Sequence, residues 1–348
     1  MRRPIFSLNL GTSTKVKLGR AGFQFTSDLQ HLSPEQLSQE AGVSQQEALQ
    51  VLQAVRTGAG GAASLSALEL LHKEESCRSI ITFCSQLDDA LEGGLPVGKT
   101  TEICGVPGSG KTQLCLQLAV DVQLPQCFGG VGGQVVFVDT EGSLVLQRLV
   151  ELSLAAVRHC SMLAEDEEQR AALTTFTVED ILSNIFLVRC HDYMELLAEL
   201  HLLPTFLQDR TKVRLLIIDS VTFPFLQMFD DLSLRTRLLQ GLAQQLITIA
   251  TNHNIAVVIT NHMTTRLKGA QSQLVPALGD SWGHAPTTRL LLQWEGSQRL
   301  ASILKSPGHT ETTVQYQVTC EGFRDADQSQ QLQTLIDQSA SCSTNSSV

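Results

Sequence analysis

The sequence has no long apolar run, few aromatic residues and no excess of basic charge. No stretch approaches the roughly 18 consecutive apolar residues that a membrane-spanning helix requires, so we predict no association with a membrane. Aromatic residues make up 5% of the 348 positions, and 35 acidic residues against 25 basic ones give a net charge of −10. This balance excludes a uniformly basic nucleic-acid-binding surface, although a local basic patch stays possible.

The nine cysteines form neither a C-x-x-C motif nor the cysteine and histidine spacing of a zinc site. Their number is odd and they are scattered along the chain, which is typical of free thiols rather than of a disulfide framework. We therefore expect a reducing compartment, the cytosol or the nucleus.

Changes in composition along the chain divide it into four segments. Residues 1–56 carry short amphipathic helical patterns with N-cap signals, which predict a small helical N-terminal domain. The Gly- and Ala-rich run TGAGGAAS opens a predicted flexible linker over 57–77, which also holds a predicted partner-docking segment. Residues 78–325 alternate apolar strands with helical segments, and the Gln- and Ser-rich residues 326–348 are predicted to form a disordered tail.

The long third segment predicts an α/β fold. Its strand candidates are nearly all apolar and are separated by helices, which indicates a mostly parallel sheet covered on both faces. These candidates are Thr101–Gly105, Gln134–Asp139, Asn184–Cys190, Val213–Asp219 and Ile255–Asn261. Three later runs, TTRLLLQW, LASILK and TVQYQVTC, follow each other too closely for crossover helices, so we expect them to extend the sheet in antiparallel fashion.

The run GVPGSGKT between the first strand and a helix matches the phosphate-loop pattern G-x-x-x-x-G-K-[ST] in full. Its residues are Gly105, Val106, Pro107, Gly108, Ser109, Gly110, Lys111 and Thr112. The glycines let backbone N–H groups converge on phosphate oxygens, and the dipole of the following helix favours an anion. Lys111 would reach the β- and γ-phosphates, and the Thr112 hydroxyl would bind Mg²⁺. The pattern predicts a nucleoside triphosphate and Mg²⁺ as cofactors.

Carboxylates follow two other apolar strands. Asp219 ends RLLIID and is the candidate second ligand of Mg²⁺, with a structural turn aspartate as the alternative. In VVFVDTEGS, Glu141 is the better candidate to act on a hydrolytic water, while Asp139 is the candidate turn cap. The sequence alone leaves open which of these two points inward. A small-molecule kinase usually needs an Arg-rich lid, and none is visible, so the pattern favours an ATPase.

These blocks, in this order, resemble the RecA/RadA family of strand-exchange recombinases. The blocks that carry the resemblance are LGRAGFQFTSDL, TEICGVPGSGKTQLC, VFVDTEGS, LLIIDSVT, AVVITNHM and LGDSWGHAPTTRL. Their details are similar to the C-type subgroup of the eukaryotic paralogues. The resemblance implies a RecA-like ATPase core that binds ATP, joined to an N-terminal domain of the helix-hairpin-helix type.

The resemblance also implies partners and a process. It implies homologous-recombination repair of DNA breaks in the nucleus, within hetero-oligomers that contain B-, D- and X-type paralogues. The cytoplasm is the alternative location. The expected further partners are the main strand-exchange recombinase and single-stranded or branched DNA. One rival hypothesis is a scaffold in which ATP acts only as an assembly switch. Another is a RecA-type helicase or ring motor, which the paralogue-like blocks support poorly.

Two departures from the family pattern concern assembly and DNA. The linker SLSALELL keeps Ala67 but lacks the phenylalanine of a Phe-x-x-Ala docking motif, so we expect assembly with unlike paralogues rather than self-polymerisation. The first DNA-binding loop of the family corresponds to VTFPFLQMFDD, which is apolar and acidic. This composition predicts a protein contact there rather than a phosphate contact.

The second loop region keeps candidates for DNA contact. Arg266 and Lys268 would hold phosphates while a base stacks on Trp282. The alternative for Trp282 is a buried core residue.

The family resemblance implies roles for three more residues. His262 stands where the family has a glutamine that senses the γ-phosphate, with a tolerated replacement as the alternative. Arg148 stands where an arginine packs on adenine, with a solvated helix arginine as the alternative. Lys305, in KSP, lies in the stretch that caps a neighbouring subunit's ATP, so it would act in trans at a subunit interface.

Overall fold

The computed structural model describes residues 4–8, 10–29, 32–58, 66–75, 78–226, 231–268, 271–308 and 311–326. The chain divides into two compact units, Met1–Ser76 and Cys77–Val348, and each is described by itself. Every cysteine within the described ranges is a free thiol, in agreement with the absence of a disulfide pattern. No helix in these ranges combines the length and the apolar character that crossing a bilayer requires.

The first unit is helical, as predicted. Its helices are α1 (Thr12–Arg20), α2 (Pro34–Ala41), α3 (Gln45–Gly58) and α4 (Ala67–Glu75). Helix α2 begins with a capping box, in which the Ser33 hydroxyl accepts from the Gln36 N–H at 3.2 Å and the Gln36 side chain accepts from the Ser33 N–H at 2.9 Å. Apolar side chains from α1, α2 and α3 form one buried cluster with Ile5 and Leu8.

Helix α4 lies inside the segment that was predicted to be a flexible linker. Ser66 caps it, because its hydroxyl accepts from the Glu69 N–H at 3.2 Å while the Glu69 carboxylate accepts from the Ser66 N–H at 2.7 Å. The partner-docking segment of this linker is thus helical, since a capping box precedes a run of good helix formers. Residues 59–65 and 76–77 lie outside the described ranges, as does the predicted tail from residue 327 onward.

The second unit alternates strands and helices. Its helices are α5 (Ser85–Ala90), α6 (Lys111–Asp121), α7 (Leu146–Leu163), α8 (Glu167–Leu173), α9 (Val178–Ser183), α10 (Tyr193–Asp209), α11 (Thr222–Leu226) and α12 (Leu232–His253). Its strands are β1 (Thr100–Gly105), β2 (Gln134–Asp139), β3 (Ile185–Arg189), β4 (Val213–Asp219), β5 (Ala256–Asn261), β6 (Met263–Lys268), β7 (Gln271–Pro276), β8 (Thr288–Glu295), β9 (Gln298–Lys305), β10 (Thr313–Thr319) and β11 (Gly322–Asp325).

Nine of these strands form one sheet in the order β11-β10-β9-β8-β1-β5-β4-β2-β3. Strands β8, β1, β5, β4, β2 and β3 pair in parallel, and β9, β10 and β11 extend the sheet by antiparallel pairing. This arrangement confirms the predicted fold class. The prediction was wrong for β8, which pairs in parallel with β1. Residues 277–287 carry the chain from the end of β5 to the opposite end of the sheet, where β1 begins.

Helices cover the sheet on both faces, which explains the continuous apolar runs of its strands. Successive residues of β2 and β4 point into opposite layers, so that Phe137 and Ile217 pack with α6 and α7 on one face. Val138 and Ile218 pack with α10 and α12 on the other. Parallel strands present their carboxyl ends at one edge of the sheet, and at this edge β1, β2, β4 and β5 end side by side.

Candidate functional site

The predicted phosphate loop connects β1 to α6. Gly108 and Gly110 have φ angles of +78° and +103°, a region that favours glycine. Gly105 is required for a different reason, because a Cβ there would lie 2.5 Å from the carbonyl oxygen of Leu292 on β8. The glycine spacing of the motif therefore follows from both backbone conformation and close packing, and it leaves the first N–H groups of α6 at the end of the loop.

Strand β10 supports this loop from behind. The buried Tyr316 hydroxyl donates to the carbonyl oxygen of Ser109, and a Cβ on Gly110 would lie 3.4 Å from Val318. The Ser109 hydroxyl is itself buried and has no hydrogen-bond partner among the described residues. An unpaired buried donor in a glycine-rich loop fits an anionic ligand that supplies acceptor oxygens. Nothing in the sequence pattern pointed to Tyr316.

Lys111 begins α6 and its ammonium group lies over its own loop. Nζ donates to the carbonyl oxygens of Gly105 at 2.9 Å and Val106 at 3.3 Å. Burial lowers the pKa of Lys111, while the charges of Asp219 and Glu141 act in the opposite direction. Because burial disfavours the charged form, an anion at the loop would stabilise this ammonium group.

Asp219 joins the loop to the end of β4. Its Oδ2 accepts from the Thr112 hydroxyl at 2.7 Å, and its Oδ1 accepts from the Thr260 hydroxyl of β5 at 2.5 Å. Burial raises the pKa of Asp219, and the two hydroxyl hydrogen bonds oppose this rise. The structure thus brings the predicted Mg²⁺ ligands Thr112 and Asp219 together, and it adds Thr260, which the sequence analysis missed because it lies inside an apolar strand.

The oxygen donors of this site fit Mg²⁺, which binds proteins through one or two carboxylates and completes its shell with phosphates and water. Across the described residues no cluster of three or more His, Cys, Asp or Glu side chains could hold a metal on its own. A cation at Asp219 would therefore need further ligands from a bound nucleotide.

Glu141 and His262, predicted as separate functional residues, lie in contact. The Glu141 Oε1 accepts from the Ser220 hydroxyl at 2.5 Å and lies 2.7 Å from the His262 Nε2. The hydrogen bond from His262 is the largest cause of a lowered pKa at Glu141, and burial opposes it. The sequence could not pair them, because their proximity depends on the order of β2, β4 and β5 in the sheet.

Asp139 has the structural role that the sequence analysis left open. Its Oδ1 accepts from the backbone N–H groups of Gly142 at 2.8 Å, Glu141 at 3.2 Å and Ser143 at 3.3 Å. Asp139 therefore caps the turn after β2, and Glu141 is the carboxylate that faces the end of the neighbouring strands.

Arg148 on α7 is fixed by several hydrogen bonds. Its guanidinium group donates to the Gln113 side chain at 2.9 Å, to the carbonyl oxygens of Thr319 at 2.6 Å and Cys320 at 2.7 Å, and to Glu151 at 2.8 Å. Its side chain is 14% exposed, which excludes the alternative of a solvated helix arginine. Arg148 thereby links α6 and α7 to the β10–β11 turn, and its packing on adenine stays a prediction.

The region predicted as a second DNA-binding loop is a two-stranded antiparallel hairpin, β6–β7. Arg266 on β6 is exposed and forms a two-pronged ion pair with Asp280, with distances of 3.0 and 3.1 Å. Lys268 ends β6, and its side chain lies outside the part of the chain that the structure describes. A DNA contact by Arg266 would have to compete with Asp280.

The position of Trp282 does not fit the predicted base stacking. The side chain is 4% exposed and packs in the apolar layer beside α12. Its indole N–H donates to Oε1 of the buried Glu102 at 2.8 Å. The alternative of a core tryptophan is the correct one, because burial stabilises the large ring and Glu102 satisfies its polar atom.

Lys305 at the end of β9 also uses its ammonium group within its own chain. Nζ donates to the carbonyl oxygens of Gly283 at 3.2 Å, His284 at 3.0 Å and Pro286 at 2.6 Å. Burial lowers the pKa of Lys305, with a smaller contribution from Arg289. These bonds hold the turn before β8, and the predicted contact with a neighbour's ATP stays a prediction.

The first DNA-loop region begins with the short helix α11, which contains the buried Phe225. Residues 227–230 lie outside the described ranges, so the predicted protein contact of this loop stays a prediction.

Comparisons with known proteins agree with this architecture. The Rad51 family model matches residues 73–326. The DNA repair protein RAD51 homolog 3 of Cricetulus griseus is 53% identical over 340 residues, which cover 94% of this chain and 93% of that protein. The protein of the same name from Dictyostelium discoideum is 42% identical over 266 residues, covering 75% of this chain and 69% of the relative.

A third relative is more distant. The DNA repair and recombination protein RadA of Aeropyrum pernix is 31% identical over 323 residues, covering 91% of this chain and 94% of that protein. The family match over most of the second unit and the relatives along nearly the whole length confirm the resemblance to RecA/RadA proteins and to the C-type subgroup. The chain therefore belongs to the Rad51 family.

Proposed function

We propose that this chain is an ATP-binding, DNA-stimulated ATPase subunit of recombinase-paralogue complexes that act in homologous-recombination DNA repair. The observation that carries the proposal is the edge of the sheet where Lys111, Thr112, Asp219 and Glu141 meet through hydrogen bonds or electrostatic interactions. The names of two relatives, a DNA repair protein and a DNA repair and recombination protein, support the role in DNA repair.

ATP would bind with its phosphates on the loop. The N–H groups at the start of α6 and the Lys111 ammonium would contact phosphate oxygens, in exchange for the loop carbonyls that Lys111 contacts here. Thr112 and Asp219 would hold Mg²⁺. When bound, this ion neutralises the charge that develops on the transferred phosphoryl group.

Glu141 would act on the attacking water. Its pKa is lowered, with the His262 hydrogen bond as the largest cause, so the carboxylate stays ionised at neutral pH but is a weak base. We therefore assign it the orientation of water more than the removal of a proton. His262 would report on the γ-phosphate through its contact with Glu141.

Helix α4 supports assembly with other proteins. Leu68, Leu70 and Leu71 are 60%, 46% and 49% exposed, which is unusual for three leucines on one short helix. We propose that this helix docks on a different paralogue, of the B, D or X type, because the phenylalanine anchor of self-assembly is missing. The proposal also includes contact with the main recombinase and contact with single-stranded or branched DNA through Arg266. Its last part is a nuclear location.

The test is ATP turnover with and without single-stranded DNA, for the chain alone and with partner paralogues. We expect turnover that DNA increases and that Lys111→Ala abolishes. Lys212→Ala is the matched control, because Lys212 is exposed just before β4, at the opposite edge of the sheet. No turnover in any assembly, together with partner binding that still requires ATP, would establish the scaffold in which ATP is only an assembly switch.

A further inference from the structure

Strand β1 carries a buried carboxylate that neither phosphate binding nor water activation uses. Glu102 is 0% exposed. Its Oε1 accepts from the Asn261 side-chain NH₂ at 2.7 Å and from the Trp282 indole N–H at 2.8 Å, while its Oε2 accepts from the Arg289 Nε. A buried carboxylate is tolerated when it is paired with a cation and fully hydrogen-bonded. Glu102 meets both conditions.

The charge of Glu102 fixes the direction of a chain of hydrogen bonds. An ionised carboxylate can only accept, so Asn261 must turn its NH₂ group toward Glu102 and its Oδ1 away from it. That Oδ1 accepts from the Thr222 hydroxyl at 2.8 Å. Because the single hydroxyl proton of Thr222 is used there, its oxygen is left to accept, and it accepts from the His262 backbone N–H at 3.0 Å.

The chain of hydrogen bonds ends at His262, a residue of the proposed hydrolytic site. The backbone of His262 is held on both sides, since its N–H donates to Thr222 and its carbonyl oxygen accepts from the Ala277 N–H at 2.9 Å. With the backbone fixed in this way, the His262 imidazole reaches the Glu141 carboxylate at 2.7 Å. Ala277 and Trp282 both follow the β6–β7 hairpin, so the same cluster also ties the return of the hairpin to β1.

We propose that Glu102 is a positioning residue for ATP hydrolysis: acting through Asn261 and Thr222, it sets where His262 stands against Glu141. The inference rests on the proposed ATPase function. Glu102 contacts none of the residues predicted to bind the nucleotide. It acts by fixing the direction of the hydrogen bonds that lead to His262, without contact with a phosphate.

The sharpest test uses two variants of Thr222, the middle of the chain. Thr222→Val keeps the shape but loses both hydrogen bonds, and Thr222→Ser keeps the hydroxyl. We expect Thr222→Val to lower kcat about tenfold, the effect of about one hydrogen bond in the transition state, while the ATP dissociation constant stays within about twofold. Thr222→Ser should behave like the wild type. Wild-type kcat in Thr222→Val, or an equal loss of ATP affinity, would overturn the proposal.

The role of Glu102 itself is tested with Glu102→Gln and the double variant. A glutamine can donate as well as accept, so the direction of the chain is no longer enforced. Residues that act in one chain give non-additive effects, so we expect Glu102→Gln combined with Thr222→Val to lower kcat no further than Thr222→Val alone. If the two losses multiply, the residues act independently and the proposal is wrong. Should Glu102→Gln fail to fold because Arg289 loses its partner, the Thr222 pair decides.

A spectroscopic measurement separates this inference from the ATPase proposal. Among the nine histidines, the ring signal of His262 is assigned by its loss in His262→Gln. We expect this signal to shift in Thr222→Val and to stay at its wild-type position in Thr222→Ser. An unshifted signal in Thr222→Val would sink the positioning role. A shifted signal in a chain that never turns over ATP would instead refute only the ATPase proposal.

Discussion

Lys111 and Lys305 both place an ammonium group against backbone carbonyls, yet their surroundings differ. Lys111 contacts two carbonyls of its own loop, beside a buried Ser109 hydroxyl with no partner among the described residues. Lys305 contacts three carbonyls of the turn at 283–286. The phosphate loop thus contains a hydrogen-bond donor without an acceptor, whereas all three N–H donors of the Lys305 ammonium group are used in the turn.

This difference separates a binding site from a structural clamp. A lysine with excess donors around it gains from an added anion, while a lysine with saturated donors gains nothing and contributes to stability. The sequence gives no sign of the distinction, since both residues are single lysines that the family resemblance places near ATP.

The largest effect is expected for Lys111→Ala. Loss of the ammonium group should weaken ATP binding about a hundredfold or more, so that saturating Mg-ATP no longer raises the melting temperature as it does for the wild type. The melting temperature without ATP should change little, because burial already disfavours this charge. A large drop in the melting temperature without ATP would make Lys111 a structural residue like Lys305.

Lys305→Met should show the opposite pattern. Leaving three carbonyls without their donor should lower the free energy of unfolding by about 1 to 2 kcal/mol, allowing for partial hydration of the exposed ones, in a urea titration. The ATP affinity of the isolated chain should not change, and Lys212→Met at an exposed position is the control. Unchanged stability, combined with a loss of turnover only in the assembled complex, would favour the trans-acting role.

Thr260→Val should act on the cation rather than on the phosphates. Without the hydrogen bond to Asp219, the Mg²⁺ concentration for half-maximal turnover should rise about tenfold, whereas Thr260→Ser should be close to the wild type. The Thr260 hydrogen bond lowers the pKa of Asp219, so its loss raises that pKa further and protons compete better with Mg²⁺. The defect should therefore be larger at pH 6 than at pH 8, and a defect independent of pH would contradict this.

Asp280→Asn should give the smallest effect, an increase in DNA affinity. Weakening the ion pair with Arg266 leaves the guanidinium group available for a phosphate, so single-stranded DNA should bind about threefold more tightly, with a salt dependence steeper by about 0.7 in the logarithmic slope. Fluorescence anisotropy at several salt concentrations measures both. If Arg266→Ala and Asp280→Asn both leave DNA binding unchanged, the hairpin is not the DNA contact.

Local sequence patterns predicted the structural features that depend on residues close to each other in the sequence. Val213–Asp219 was predicted with its correct limits, because an apolar run that ends in a carboxylate is both a buried strand and a site residue. The phosphate loop followed from the full G-x-x-x-x-G-K-[ST] pattern between a predicted strand and a predicted helix. By contrast, the contact between Glu141 and His262 depends on strand order, which periodicity does not contain.

Contacts between residues distant in sequence also explain the wrong or missing predictions in the last part of the second unit. Strand β8 was expected to be antiparallel because the later strands follow each other closely. The sequence does not show that residues 277–287 cross from the end of β5 to the edge where β1 begins. Trp282 was weighed as a DNA residue because a buried partner, Glu102 on β1, is distant in sequence. Thr260 was missed because a hydroxyl inside an apolar strand carries no motif. Tyr316 was missed because a single aromatic residue in the mixed strand TVQYQVT carries none either.

The hydrogen bond from Tyr316 to the phosphate loop has a consequence for how the protein is made. The loop at Ser109 is held by Tyr316 on β10, which is synthesised about two hundred residues later. In a similar long-range contact, Asp325 accepts hydrogen bonds at the start of α5 from the Ser85 hydroxyl at 2.5 Å and the Gln86 N–H at 3.0 Å. A nascent chain that carries the complete GVPGSGKT motif still lacks the support that holds it in shape. Nucleotide affinity should thus emerge late in translation, once β10 has left the exit tunnel, so that bound ATP marks a subunit whose synthesis has passed β10.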